Sequence, residues 1–303
     1  MKKVLVIAGP TASGKTAFSV RAAERFHSEI ISGDSIQVYR GLDIGSGKVT
    51  PQETHGIVHH LIDIRDPQEP YSVADFQAMA RELIGRHDFS IIAGGTGLYL
   101  KACLYDYVFP PDSSEEPVDP VLEQLSNEQL YALLQQTDPV QAEKIHMNNR
   151  RRLLRSLTIQ KRTGRTQSAQ EAEQAHTPLY DIFIAGCTMP REVLYERINR
   201  RVDSMFEAGL EAEVRGLLAA GVSFDDPGMQ GIGYREFRAY MAGACTIDEV
   251  REEIKKHSRQ YAKRQYTWLN HQMPVHWFQV LDEKEQQRML EEIAEWKEEN
   301  SNG

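Results

Sequence analysis

Eight residues near the amino end have the composition and spacing of a phosphate-binding loop. The pattern G-x-x-x-x-G-K-T is matched by Gly9, Pro10, Thr11, Ala12, Ser13, Gly14, Lys15 and Thr16. Its glycines let the backbone turn several N–H groups toward one anion, and the helix that follows adds the positive end of its dipole. The lysine supplies a mobile charge, and the threonine hydroxyl commonly ligates Mg²⁺. The loop therefore predicts a phosphate site with Mg²⁺ on Thr16, and it leaves open whose phosphate is bound.

A carboxylate and several polar side chains follow the second predicted strand. Asp34 comes at the end of that strand, and ligands of parallel sheets bind at the carboxyl ends of the strands. A carboxylate there can ligate Mg²⁺ or act as a general base, and the pattern alone leaves these two roles equal. Ser35 and Gln37 can hydrogen-bond the edge of a nucleic-acid base, and Tyr39 can stack on one.

Two further stretches carry groups that can bind phosphate. The turn Gly94-Gly95-Thr96-Gly97 places a hydroxyl and free amides at the end of another strand, where a ligand site and a simple tight turn fit equally well. Arg197, Arg200 and Arg201 follow one another in a helical pattern. Each of these arginines, taken alone, is more often a solvated side chain than a phosphate ligand.

The elements that must position these residues alternate between strand and helix. Ser72, with Asp75 three residues on, resembles a capping box and predicts a helix to about residue 87. Another helix is predicted over residues 15–27. The predicted strands span residues 4–8, 29–35, 59–64, a run beginning at 90, and 180–189. Strands that alternate with helices imply parallel βαβ units.

A change of pattern interrupts this α/β arrangement. Residues 108–120 are rich in proline and acids, as a linker is, and residues 121–175 show only helical patterns. We therefore predict a catalytic core built from residues 1–110 and 180–303, with an all-helical insertion domain at residues 111–179.

Composition and charge narrow the class of protein. The 303 residues are 41% hydrophobic and carry a net charge of −9. The sequence contains no run of 18 apolar residues, so no membrane-spanning helix is predicted. The three cysteines make neither a metal pattern nor a disulfide framework, which fits a reducing cytoplasm. Against the acidic total, residues 144–165 hold eight Lys/Arg and residues 255–281 hold five, and neither run contains an acid. Such stripes can bind a polyanion or can be solvated helix faces.

Eight motifs occur together in a fixed order. They are GPTASGKT, GDSIQVYRGLDIGSGK, HHLIDI, GGTGLYL, NNRRRLLRSL, RVDSMFEAGLEAEV, QGIGYREF and RQYAKRQYTWL. From residue 4 to about residue 269 the chain closely resembles the bacterial tRNA dimethylallyltransferase family, also called tRNA isopentenyltransferases. The resemblance implies a P-loop NTPase-like parallel sheet flanked by helices, and a helical insertion that grips the anticodon stem-loop of tRNA. It also implies transfer of a dimethylallyl group from dimethylallyl pyrophosphate to N6 of an adenosine. That adenosine lies 3′-adjacent to the anticodon in tRNAs that read codons beginning with U.

The resemblance also implies roles for individual residues. The donor's pyrophosphate would lie against Thr11 to Thr16, held by Lys15, by Mg²⁺ on Thr16 and by Arg201. Asp34 matches the family's proposed general base, and Thr96 matches a threonine at the reacting region. Residues that match tRNA-contacting segments are Asp34, Ser35, Ile36, Gln37, Thr96, Arg151, Arg152, Leu153, Leu154, Arg155, Gln230, Gly231, Ile232, Gly233, Tyr234, Arg235, Arg259, Lys263, Arg264 and Gln265.

The sequence departs from the family at two places, and two other functions stay open. Gly33-Asp34 stands where relatives often have Ala-Asp, and Ser46-Gly47-Lys48 stands where TAK is common; as small-for-small changes, neither is expected to matter. A nucleoside or nucleotide kinase with a helical lid is the first alternative function. A non-catalytic RNA-binding P-loop protein is the second. We expect a cytoplasmic monomer that binds tRNA and dimethylallyl pyrophosphate and no membrane.

Overall fold

The computed structural model describes residues 1–109, 119–174 and 176–299. The chain divides into two compact units: Met1–Leu104 with Pro178–Gly303, here called the sheet unit, and Tyr105–Thr177, here called the helical unit. The linker predicted at residues 108–120 lies mostly outside the described residues, as does the last residue of the predicted helical stretch, Ala175.

Six parallel strands form the centre of the sheet unit. They are β1 (Lys3–Ala8), β2 (Ile30–Ser32), β3 (His59–His60), β4 (Phe89–Gly94), β5 (Asp181–Thr188) and β6 (His276–Gln279). Their order across the sheet is β3-β2-β4-β1-β5-β6. Because β1 lies between β4 and β5, its apolar residues Val4 to Ala8 are fully buried. The predicted P-loop NTPase-like parallel sheet is confirmed.

Helices connect and cover these strands. Before the helical unit come α1 (Lys15–Phe26), α2 (Val73–Gly85) and α3 (Gly97–Leu104). The helical unit contains α4 (Pro120–Glu123), α5 (Asn127–Thr137), α6 (Pro139–Lys144), α7 (Arg150–Thr163) and α8 (Gln167–Ala172). The sheet unit resumes with α9 (Arg191–Glu207), α10 (Leu210–Ala219), α11 (Phe237–Met241), α12 (Ile247–Gln272) and α13 (Glu283–Glu298). The predicted capping box is present at α2, since Ser72 and Asp75 each accept the other's backbone N–H.

Three strands differ from the sequence expectation. The predicted strand at residues 59–64 ends at His60, because Leu61 and Asp63 have φ of +62° and +55°, a left-handed conformation that breaks a strand. The predicted strand at residues 29–35 ends at Ser32, so that Asp34 leaves the sheet. Strand β6 was not predicted; it pairs only at the sheet edge with β5 and is mostly exposed, so it has no apolar run.

A second apolar cluster in the sheet unit holds the segment that follows Asp34. Val38 and Leu42 of this segment pack with Val214 of α10, with Tyr234, and with Ile254 of α12. The polar residues on either side of Val38 and Leu42 are therefore carried by a packed segment, although that segment contains neither helix nor strand.

Candidate active site

The phosphate loop connects the end of β1 to the start of α1. Gly14 caps α1 with φ of +86°, a conformation that glycine adopts without steric cost. A Cβ at Gly9 would lie 2.8 Å from the carbonyl oxygen of Cys187, so glycine allows the loop to pass close to β5. The first turn of α1 contains no acidic residue. Its free N–H groups therefore favour an anion.

Lys15 is held inside this loop. Its Nζ donates to the carbonyl oxygen of Pro10 at 2.5 Å. Burial lowers the pKa of Lys15 to about 8, and the nearby Arg201 charge acts in the same direction, while Cys187 and Asp34 oppose it. Among the described residues no carboxylate lies within ion-pair distance of this ammonium. A bound phosphate would supply the missing negative partner.

Asp34 is fixed by the turn that it starts. Its Oδ1 accepts the backbone N–H groups of Ile36 at 2.8 Å and Gln37 at 3.2 Å, an arrangement typical of aspartate turns. In the part of the chain that the structure describes, no protein donor reaches Oδ2. One carboxylate oxygen is therefore anchored, and the other is available to accept a proton.

Among the three predicted arginines of α9, Arg201 is the one whose guanidinium contacts both the phosphate loop and the backbone of Ser46 and Gly47. It donates to Thr11 Oγ1 at 3.3 Å, to Ser46 O at 3.3 Å and to Gly47 O at 3.4 Å. Burial lowers the pKa of Arg201, whereas Asp34 and Glu53 raise it.

The other two candidate arginines have different surroundings. Arg197 donates to the carbonyl oxygen of Ala12 from outside the loop, at 3.2 Å. Arg200 pairs with Glu196 at the exposed surface, at 3.5 Å. Arg201 lies on the face of α9 that packs inward, whereas its neighbour Arg200 lies on the outer face.

Gln265 on α12 joins the phosphate loop to the second glycine turn. Its Oε1 accepts the Thr11 N–H at 2.9 Å, and its Nε2 donates to Gly95 O at 2.9 Å. A Cβ at Gly95 would lie 2.2 Å from this Nε2, so the close approach needs glycine. Gln265 was predicted to contact tRNA. The Gln265 side chain is buried and bonded to the phosphate loop and to the second glycine turn, so it has a structural role in joining them.

Tyr261 of α12 lines the cavity, with the Thr96 side chain nearby. Burial together with the nearby Asp34 carboxylate raises the pKa of Tyr261. The Tyr261 phenol therefore stays protonated at neutral pH. Tyr261 was not predicted as a site residue. The signal that could have found it is its spacing of four from Gln265, which puts both on one face of α12.

A cavity of 380 Å³ in the sheet unit brings most of these groups together. The sequence-predicted residues that line it are Thr11, Lys15, Thr16, Asp34, Ser35, Ile36, Gln37, Arg201, Gln230, Gly231, Ile232, Arg235, Arg264 and Gln265. Residues that were not predicted complete the lining. Among them are the apolar Ile198, Val202, Met205 and Ile254, and the polar His59, Ser258 and Tyr261.

Other predicted residues of the sheet unit do not line this cavity: Gly9, Pro10, Ala12, Ser13, Gly14, Thr96, Gly233, Tyr234, Arg259 and Lys263. The Tyr234 side chain, predicted to contact tRNA, is fully buried and bonded to Glu213, so it offers no exposed surface in this structure. Arg259 is bonded to Asn199, and Lys263 is exposed on α12.

The predicted residues of the helical unit separate into two faces of α7. Leu153 and Leu154 lie in its apolar core, at 0% and 9% exposure, so their side chains are not at the surface as an RNA contact requires. Arg151, Arg152 and Arg155 are exposed, and none makes an ion pair within the described residues. The amphipathic spacing of α7 explains both outcomes.

Within the described residues, five of the thirteen basic residues in the two acid-free runs form ion pairs with acids from outside those runs. The pairs are Lys144–Glu171, Lys161–Asp119, Arg165–Glu173, Lys255–Asp203 and Lys256–Glu253. Arg150 instead donates to the carbonyl oxygens of Glu123 and Leu125. The unpaired basic surface is therefore smaller than charge counting indicated.

Residues 1–109, 119–174 and 176–299 contain neither a membrane-spanning helix nor a cluster of metal-binding side chains. No helix in these ranges combines the length and apolar character that crossing a membrane needs. Their His, Cys, Asp and Glu side chains form no group of three that could hold a metal ion. A metal at the phosphate loop would therefore draw on Thr16, on the single lining carboxylate Asp34, on water and on the oxygens of its ligand.

Known proteins match this chain along nearly its whole length. A family model described as IPP transferase matches residues 37–272. The tRNA dimethylallyltransferase of Anoxybacillus flavithermus is 47% identical over 299 residues, which cover 97% of this chain and 96% of that protein. This chain belongs to the IPP transferase family.

Solved structures of the family have the same fold. The full-length tRNA isopentenylpyrophosphate transferase of Bacillus halodurans is 41% identical, with a TM-score of 0.75 and coverage of 100% of this chain and 99% of that one. A eukaryotic dimethylallyltransferase acting on tRNA is 30% identical, with a TM-score of 0.83 and coverage of 100% and 80%. These relatives are transferases, and they do not favour the nucleotide-kinase alternative.

Proposed function

We propose that this chain transfers a dimethylallyl group from dimethylallyl pyrophosphate to N6 of the adenosine 3′-adjacent to the anticodon in tRNAs reading codons that begin with U. The observation that carries the proposal is one cavity that Lys15, Arg201 and the Asp34 carboxylate all line. The cations suit a pyrophosphate leaving group, and the carboxylate suits a proton that must leave the acceptor. Family membership supports the same reaction.

The donor half of the cavity favours a prenyl pyrophosphate over a nucleotide. The amides of the phosphate loop, Lys15 and Arg201 would hold the pyrophosphate. The adjoining apolar side chains, Ile198, Val202 and Met205, can bury a hydrocarbon group. The polar sugar and base of a nucleotide would find no hydrogen-bond partner on those side chains, which would cost free energy.

The proposed reaction breaks one bond and forms another at C1 of the dimethylallyl group. The C1–O bond breaks with both electrons going to pyrophosphate, and N6 of adenine bonds to C1. Lys15 and Arg201 stabilise the negative charge that grows on the leaving oxygen. The N6 lone pair is delocalised into the ring and is weakly nucleophilic, so Oδ2 of Asp34 accepts the N6 proton as the new bond forms.

Mg²⁺ is proposed as the cofactor, and the donor set at the loop fits it. Thr16 is exposed at the cavity, where its hydroxyl can ligate. Mg²⁺ usually keeps several waters and takes phosphate oxygens with only one or two protein oxygens, so the absence of an acidic cluster among the described residues is compatible with it. When bound, the ion would neutralise charge on the pyrophosphate.

The proposed acceptor is the anticodon stem-loop of tRNA. Loop nucleotides unstack at less cost than paired ones, so the target adenosine can enter the cavity. There Gln37 and Ser35 offer hydrogen bonds to its edge, and Arg235 and Arg264 offer positive charge for the backbone. The exposed arginines of α7 offer further phosphate contacts. A cytoplasmic monomer is part of this proposal.

The test is transfer of label to a defined atom. The wild-type protein is incubated with undermodified tRNA, labelled dimethylallyl pyrophosphate and Mg²⁺, and the product is digested to nucleosides. We expect label on N6 of one adenosine, and none when that adenosine is replaced by guanosine. A tRNA reading codons that begin with C serves as the control. Unlabelled tRNA together with ATP hydrolysis or phosphorylation of a small acceptor would support the kinase instead.

A further inference from the structure

Glu213, in the first turn of α10, holds the loop of residues 43–48 by its backbone. Its Oε2 accepts the N–H groups of Asp43 at 3.1 Å and Ile44 at 2.7 Å, and its Oε1 accepts the N–H of Gly45 at 3.1 Å. Hydrogen bonds to an ionised acceptor are stronger than neutral ones. One carboxylate therefore fixes three successive peptide units.

Tyr234 extends this support by one residue. Its hydroxyl donates to Glu213 Oε1 at 2.8 Å and accepts the N–H of Ser46 at 3.1 Å. The ring is fully buried, and a Cβ at Gly45 would lie 2.5 Å from its Cζ, so glycine lets the loop rest on the ring. Burial and the Glu213 charge raise the pKa of Tyr234, so the hydroxyl remains a donor at any working pH.

The far side of the same loop holds Arg201. The carbonyl oxygens of Ser46 and Gly47 accept from Arg201 Nη2, and Gly47 O also accepts from Gln37 Nε2 at 3.2 Å. Gly47 has φ of +59°, and a Cβ there would lie 1.7 Å from Nη2. A side chain at this position would therefore require the end of the Arg201 guanidinium to shift.

We infer that Glu213 and Tyr234 are positioning residues that set the donor-binding geometry of Arg201 through the loop of residues 43–48. Neither side chain lines the cavity, whereas Gly45, Ser46 and Gly47 of the loop do. Glu213 and Tyr234 therefore act on the donor through this loop, whose carbonyl oxygens orient the guanidinium. The inference rests on the proposed function in one respect, namely that Arg201 holds pyrophosphate. It assigns to Tyr234 a task different from RNA contact.

Two conservative variants disturb this support without touching the cavity. Each Glu213 oxygen accepts two hydrogen bonds. Whichever of the two oxygens becomes the NH₂ group in Glu213→Gln, that group therefore faces donors and cannot accept from them. Tyr234→Phe removes only the hydroxyl. Since loss of a hydrogen bond to a charged group changes an equilibrium constant by about 10- to 100-fold, we expect the Kd of inorganic pyrophosphate to rise by up to about that factor. The affinity for tRNA should stay unchanged. The matched controls are Glu211→Gln and Tyr240→Phe, whose side chains bond to each other at 3.1 Å, away from the loop.

The decisive measurement is a double-mutant cycle with Arg201→Ala, read by calorimetric titration of inorganic pyrophosphate. If Glu213 acts through Arg201, Glu213→Gln weakens binding in the wild-type background and adds nothing in the Arg201→Ala background. Equal weakening in both backgrounds, or weakening no greater than in Glu211→Gln, overturns the inference. Tyr234→Phe gives the same test if Glu213→Gln does not fold. Because pyrophosphate binding needs no transfer, this result is readable even if the prenyl-transfer assay contradicts the proposed function.

Discussion

Replacement of Asp34 by asparagine isolates the chemical task of its carboxylate. Asparagine keeps an Oδ1 that accepts the two backbone N–H groups now bonded at 2.8 and 3.2 Å, so the turn survives. It loses the basic Oδ2, which is the atom that would take the N6 proton. General bases contribute about 10²–10⁴-fold to rate, which is about 3–5 kcal/mol of barrier at 1.36 kcal/mol for each tenfold.

The loss of charge has a second effect that the assay must separate. Asp34 raises the pKa of Lys15, so Asp34→Asn lowers that pKa below its present value of about 8. At about pH 6.5 Lys15 remains largely protonated in both proteins, and the comparison then reports the base alone.

The assay is therefore a single-turnover measurement at that pH with enzyme in excess over tRNA and saturating donor. We expect the transfer rate of Asp34→Asn to fall by about 10²–10⁴-fold, with the Kd for tRNA unchanged. Asp66→Asn is the control, since Asp66 pairs with the exposed Arg40 outside the cavity. A near-normal transfer rate combined with a much weaker Kd for tRNA would refute the reasoning and make Asp34 a binding residue.

Three further predictions concern binding and stability. Lys15 loses its proton as the pH rises through about 8, so kcat/KM for the donor should fall above that pH. Lys15→Met should have lower activity without this alkaline decline. A decline that persists in Lys15→Met would mean that another group titrates. Gln265→Leu strands a buried N–H and C=O in the two glycine loops, so chemical denaturation should show a loss of about 1–3 kcal/mol for each group. Gln265→Glu, which retains the acceptor, should lose less, and equal losses would contradict the bridging role. Neutralising Arg151 and Arg152 together should reduce the slope of log K for tRNA binding against log salt concentration by up to about 2. Lys161 is already paired with Asp119, so Lys161→Gln should leave the slope unchanged. An unaltered slope in the arginine variant would mean that α7 does not contact phosphate.

Local rules were enough to predict the framework of the site. The phosphate loop, the capping box at Ser72 and the alternation of strand and helix depend on residues adjacent in sequence, and the structure has all three. The same rules failed at β3 and β6. Strand β3 ends before Leu61, whose backbone has a left-handed conformation. Strand β6 is an exposed edge strand without an apolar pattern.

The sequence by itself determined that a lysine and a carboxylate able to do chemistry follow β1 and β2, because Lys15 and Asp34 belong to motifs whose spacing is local. Only the tertiary structure decided which motif residues face the cavity and which support it. Gln265 bonds to Thr11 across 254 residues and Glu213 to Asp43 across 170, so no local pattern reports these partners. Burial of a polar side chain is set by whichever distant element packs over it. Tyr234, which resembled an RNA contact in the sequence, is therefore a support in the fold, while Gln265 both lines the cavity and bridges its loops.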